Sequence, residues 1–173
     1  MHKVEINKKE GNDLVKDQNW SEGIKRYNNA LSHCKQFFDL SPEQMDTLKA
    51  AKLSLHSNIA MCANKQEDWK TAIENCTKAL EIEPANVKAL FRRATALEKT
   101  SKFDEALADL AAAQEQAPED KAIGKATARV NKSKKKQQDK EKKMCHPHPH
   151  VCERLRVAGI PIPYALLFTA RKL

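Results

Sequence analysis

The chain has 173 residues, 40% apolar, 31% charged and 5% aromatic with only four glycines, which suits a soluble helical body and argues against a sandwich or barrel. That length allows one or two compact domains, or a short repeat array, and excludes a large multidomain enzyme. The net charge of +8 lies almost entirely beyond residue 118, so the basic sequence pI of about 9.2 is no argument that the body binds nucleic acid.

From the N-terminus, Met1–Glu5 lacks the apolar core of a signal peptide, and no run approaches the 18 apolar residues of a membrane span. The five cysteines, at 34, 62, 76, 145 and 152, form no Cys-x-x-Cys pair. The first three fall among apolar helical positions and read as reduced packing residues, which points to a cytoplasmic or nuclear protein.

Self-similarity governs the next 110 or so residues. Sliding the chain by 34 places Ala60 on Ala94, Trp69 on Phe103, Ala72 on Ala106, Cys76 on Leu110, Ala79 on Ala113 and Pro84 on Pro118. A third copy lies upstream at an offset of 49, that is 34 with a 15-residue insertion: Gly11, Leu14, Trp20, Gly23, Tyr27 and Ala30 fall on Ala60, Ala63, Trp69, Ala72, Cys76 and Ala79. Each unit alternates small and large residues at helical spacing, so each is a pair of helices. The small residues let the two helices approach. Trp20, Trp69 and Phe103 open each second helix, and they, Tyr27, Cys62 and Cys76 read as packing residues. Pro84 and Pro118 stop each pair, because proline lacks the N–H and disfavours helix just before it.

The spacing predicts helices at 4–17, 20–37, 43–64, 69–82, 86–100 and 103–116, with the insertion lengthening the two helices on either side of Ser41-Pro42. Residues 119–143 read as a capping helix, with Ala122, Ile123, Ala126 and Val130 on one face and lysines from 132 to 143. Its basic end is a solvated extension in the plainest reading. A contact with calmodulin or another acidic protein is an alternative, weakened by the lack of large apolar anchors, and nucleic acid is a third. Residues 144–173 read as a disordered tail. Two cysteines and three histidines in Cys145–Cys152 could ligate zinc or copper, but the prolines and the spacing fit no zinc module, and no metal or cofactor is assigned. His33 and His56 have no neighbouring nucleophile or second ligand at helical spacing and read as non-catalytic.

The 34-residue period and its small–large pattern resemble the tetratricopeptide repeat. The resemblance implies an all-α array of three repeats (about 4–37, 43–84 and 87–118) within residues 1–118, forming a right-handed superhelix whose first helices line a concave groove.

On those first helices Lys8 and Asn12, and Lys88 and Arg92, are each four residues apart and share a face, while Asn58 is the repeat equivalent of Arg92. Three cations and two amides supply donors for two carboxylates. The set Lys8, Asn12, Asn58, Lys88, Arg92 is similar to the dicarboxylate clamp of co-chaperone tetratricopeptide domains, which bind the C-terminal Met-Glu-Glu-Val-Asp tail of heat shock protein 90 or the related tail of heat shock protein 70. The resemblance implies that Lys8, Asn12 and Asn58 hold the main-chain carboxylate and Lys88 the side chain of the last Asp. Arg92 would hold the peptide backbone or an upstream acid.

Segments such as Ala85–Ala94 and Ala117–Ile123 resemble the C-terminal domain of immunophilins, nearest to the cyclophilin 40 type and next to the FK506-binding type. Those proteins carry a peptidyl-prolyl isomerase domain ahead of the repeats, and the seven residues before Lys8 cannot hold one. The expectation is a non-enzymatic co-chaperone module. The alternatives are a fragment or isoform of such an isomerase and a generic repeat scaffold.

Overall fold

The computed structural model describes residues 1–37 and 39–145, the last two by backbone alone. Seven helices follow one another: α1 (His2–Lys16), α2 (Trp20–Cys34), α3 (Pro42–Lys65), α4 (Trp69–Ile82), α5 (Val87–Lys99), α6 (Phe103–Gln116) and α7 (Lys121–Cys145). Among the described residues there is no strand, and no helix is long and apolar enough to cross a membrane. Met1–Val130 form one compact unit, and the chain from Asn131 belongs to a second.

The turn inside each repeat is built the same way three times. Gln18, Glu67 and Ser101 adopt left-handed backbone at φ 60, 61 and 62°. Each lets the next residue's N–H reach back to the carbonyl of Leu14, Ala63 or Leu97, at 2.8, 2.9 and 2.9 Å. The carbonyl one residue later, of Val15, Asn64 or Glu98, takes the N–H of the left-handed residue itself, which completes a Schellman ending. Asn19 and Asp68 then cap the second helix by accepting the N–H of Glu22 and Thr71. Lys102, at the same place in the third repeat, offers no side-chain cap.

The insertion in the first repeat is corrected by the structure. It does not lengthen both helices: α2 ends at Cys34 with 15 residues, like α1, while α3 grows to 24 against 13 for α5. At Ser41 the hydroxyl accepts the N–H of Gln44, the Gln44 side chain accepts the Ser41 N–H in return, and Pro42 follows at the first helical position. That capping box fixes where α3 begins, and the connection before it bends through Asp39 at φ 52°.

The core follows the small–large pattern. One cluster gathers Val4, Tyr27, Cys34, Leu55 and Ile59; another gathers Leu90, Leu97, Leu110 and Ile123. Cys62 and Cys76 are fully buried, while Trp20, Trp69 and Phe103 are half-buried at the margins. In α7, Ile123, Ala126 and Val130 pack into the cluster beneath α5 and α6, whereas Ala122, expected beside them, is exposed. The spacing 123, 126, 130 leaves position 122 a quarter-turn off the buried stripe. The tail from residue 146, with its His–Cys cluster, lies outside the described residues, and α7 runs two residues past its expected end at 143.

An ion pair between the partly exposed Arg93 and the buried Asp109 ties three helices of the unit. Arg93 of α5 donates through Nε and Nη2 to the two carboxylate oxygens of Asp109 on α6, at 2.7 and 2.6 Å, and through Nη1 to the Thr77 hydroxyl of α4 at 3.3 Å. The bond to Asp109 raises the Arg93 guanidinium further above its ordinary value.

Candidate functional site: a cationic groove on the first helices

Hydrogen bonds run between the first helices of successive repeats. The Asn58 amide on α3 donates to Asn12 Oδ1 on α1 at 3.3 Å. Arg92 on α5 donates through Nη1 to the Ser57 carbonyl on α3 at 2.7 Å and to the Ser57 hydroxyl. Helices α1, α3 and α5 are thus joined by the side chains that the sequence singles out.

A cleft of about 250 Å³ lies where α3 meets the start of α5. Asn58, Lys88 and Arg92 line it, together with Ser54, Ser57 and Asn86. Asn12 adjoins through its bond to Asn58, and Lys8 stands one turn before Asn12 on α1, half-buried. Three of the five expected residues therefore share one cleft, a fourth is bonded to it, and Lys8 is tied to it only through its helix.

The amide of Asn12 is oriented by its neighbours. Its Oδ1 accepts from the Tyr27 hydroxyl at 2.8 Å as well as from Asn58. The amide Nδ2 of Asn12 consequently keeps both N–H donors for something else, and among the described residues it has no partner. Tyr27 is fully buried, and burial pushes its phenol up to about 12, so the hydroxyl remains a donor at any physiological pH.

The electrostatics are one-sided. Among the described residues no acidic side chain lines the cleft, and neither Lys8 nor Lys88 has a carboxylate within 4 Å. Arg92 bonds only neutral acceptors of Ser57, and burial lowers its guanidinium, the penalty of a desolvated charge without a counter-ion. Asn86 caps α5 by accepting the Ala89 N–H at 3.0 Å, and it and Lys88, at the positive end of that helix, both line the cleft. An anion entering the cleft would meet Lys88, Arg92 and the Asn58 amide, with the Asn12 amide beside them.

Sequence reasoning missed two contributors. Tyr27 reads as packing alone, but its hydroxyl sets the Asn12 amide. Ser57 carries no periodic signal at all; only its place one residue before Asn58 hints that it faces the next first helix.

Residues 63–130 match the tetratricopeptide repeat family. The fold is a tetratricopeptide-repeat array. Among curated proteins the chain is 36% identical over 118 residues to the peptidyl-prolyl cis-trans isomerase FKBP42 of Arabidopsis thaliana, covering 67% of this chain and 32% of that protein. Among solved structures it is similar to the C-terminal tetratricopeptide-containing domain of an FK506-binding protein of Plasmodium falciparum, at 28% identity and a TM-score of 0.72 over 80% of this chain and 92% of that one. The myosin chaperone UNC-45 of C. elegans, solved with a heat shock protein 90 peptide, superposes at 30% identity and a TM-score of 0.68 over 89% of this chain and 16% of that one.

The repeat region is therefore homologous to the tetratricopeptide region of FK506-binding immunophilins. The nearer likeness to cyclophilin 40 read from the sequence is not supported, since these matches are of the FK506-binding type, and the calmodulin contact finds no support among them either. The chain spans about a third of the length of the curated relative, and its described residues form an interaction fold with no isomerase domain.

Proposed function

We propose that the array is a co-chaperone module whose groove receives the free C-terminus of an acidic peptide, the Met-Glu-Glu-Val-Asp tail of heat shock protein 90 or the related tail of heat shock protein 70. The observation that carries this is the unneutralised donor set: the Asn12 amide turned with both N–H groups free, Lys8 one turn before it on α1 and Lys88 in the adjoining cleft, both lysines without carboxylate partners. In this reading Asn12, Asn58 and Lys8 hold the main-chain carboxylate and Lys88 the last side-chain carboxylate. Arg92, already bonded to Ser57, presents its remaining N–H groups to the peptide further up. The homologous UNC-45 domain with its heat shock protein 90 peptide supports the same class of ligand.

A few charge-assisted bonds of about 1.5–3 kcal/mol each, less the ordering of a short peptide, leave an affinity near micromolar. Calorimetry with the free-acid and the C-terminally amidated peptide tests the reading. Lys88→Ala should weaken the free acid by about 1.5–3 kcal/mol, and amidation should abolish binding. Equal binding of the amidated peptide would reduce the groove to a general scaffold.

A further inference from the structure

A second cleft, of about 420 Å³, opens among α2, α3 and α4. Ser32 and Lys35 reach it from the end of α2, Lys52 and His56 from α3, and Asn75 and Lys78 from α4. At 100° per residue along α3, Lys52 and His56 stand opposite Ser54, Ser57 and Asn58, so this cleft lies across the helix from the peptide groove.

Its chemistry is that of an anion site. Among the described residues no carboxylate lies within 4 Å of Lys35, Lys52 or Lys78. The imidazole at its wall is held in one tautomer. Asn75 donates its amide to the Thr71 carbonyl at 2.9 Å, so its Oδ1 accepts from His56 Nδ1 at 2.9 Å and the proton sits on Nδ1. His56 Nε2 is left with a lone pair, and it becomes a donor only when the ring is protonated. Burial holds His56 below the ordinary imidazole range; the Asn75 bond opposes that, Lys78 and Lys52 add to it, and Glu81 on α4 opposes it. Lys35 at the end of α2 is the remaining charge that faces the cleft.

The residue types narrow the ligand. Ammonium groups act as point charges that donate to phosphate oxygens from many directions, and three of them around one cleft match a ligand that carries more than one phosphate. Apart from the His56 imidazole, no aromatic side chain among the described residues lines the cleft, so a nucleobase would find no large stacking platform. Asn28 and Ser32 supply neutral polar groups suited to hydroxyls, with Leu31 as an apolar wall. The volume holds a six-membered ring with its substituents.

We propose that this cleft binds a phosphorylated polyol, its phosphates on Lys35, Lys52 and Lys78 and its hydroxyls on Asn28 and Ser32. A phosphate there offsets the lysine charges that disfavour the imidazolium. His56 therefore takes up a proton as the ligand binds, and its Nε2 then donates to the phosphate. Affinity rises as pH falls. The shared chemistry is met by a free inositol phosphate and by a phosphoinositide headgroup.

The test uses the whole chain, calorimetry with inositol trisphosphate, and the His56 ring signal followed by nuclear magnetic resonance. K52Q and K78Q should each weaken binding about tenfold. The substitution pair K135Q/K136Q, on the lysine-rich part of α7, should leave it unchanged. Proton uptake on binding should disappear in H56Q. Lys78 is exposed, so K78Q does not put folding in question. Binding that survives K52Q and K78Q, that falls only with K135Q/K136Q, or that leaves the His56 signal unmoved overturns the proposal, as does the absence of binding. Sedimentation with phosphatidylcholine vesicles containing phosphatidylinositol bisphosphate then separates the sources. Pelleting that K78Q abolishes assigns the lipid headgroup, and soluble binding without pelleting assigns the free phosphate.

Discussion

Substituting Gly11 by Ala sets two effects of opposite sign against each other. Ala is the better helix former by about 1 kcal/mol, which favours the variant. A Cβ at Gly11, however, would stand 2.6 Å from Tyr27 Cε1 and 2.9 Å from Cδ1. No real contact is that short, and the Tyr27 ring cannot swing aside, because it is fully buried and its hydroxyl is bonded to Asn12. Overpacking of this kind costs about 1–3 kcal/mol, and a displaced ring loses the Asn12 bond, worth about 1 kcal/mol. The clash wins, and Gly11→Ala should destabilise by about 2 kcal/mol. Gly124 supplies the control: on the exposed side of α7 its Cβ would meet nothing within 4 Å, so Gly124→Ala should gain about 1 kcal/mol from propensity alone. Urea unfolding of both variants gives the two signs directly. The peptide affinity of Gly11→Ala should also fall, because the same ring orients the Asn12 amide. A Gly11→Ala chain as stable as the parent would show that the close contact between α1 and α2 does not set the packing, and the reasoning about Asn12 would go with it.

Four further outcomes follow from the same structure. Asp109→Ala strips the carboxylate from Arg93 and leaves a desolvated guanidinium, so it should cost about 3–5 kcal/mol in denaturant unfolding, far more than removing an exposed pair such as Lys16–Asp13. Lys102→Asp places an acceptor where Asn19 and Asp68 already cap their helices, and should raise stability by about 1 kcal/mol despite losing the exposed Lys102–Glu105 pair. Burial pushes the Cys62 thiol up to about 11 and Cys76 up to about 12. Folded protein should therefore resist iodoacetamide at these two positions until denaturant is added. Because the unfolded thiols release protons near pH 9 and the folded ones do not, the unfolded chain binds fewer protons above that pH, and stability should decline between about pH 9 and 11.

Much of the architecture was legible in the residue order. The 34-residue period, the small residues at Gly11, Ala60 and Ala94, and the prolines at 84 and 118 dictate paired helices, because helical periodicity and close approach are properties of local sequence. The first groove residues could be named for the same reason: Lys88 and Arg92 share a face by spacing alone, and Asn58 follows by the repeat.

What lay beyond the sequence was whatever depended on distant groups meeting. That Asn12 keeps its amide N–H groups free is decided by a tyrosine 15 residues away and an asparagine 46 residues away, both of which bond its oxygen. That Arg92 spends one nitrogen on Ser57 is a contact across 35 residues. The end of α2 at Cys34, three residues short of the expected 37, is not written in the periodicity, and the cleft around His56 exists only because three helices bring their lysines to one place. Periodicity states which side of a helix is buried; it does not state which polar groups meet across the interface, and hydrogen-bond direction and desolvation there are fixed only once the helices pack.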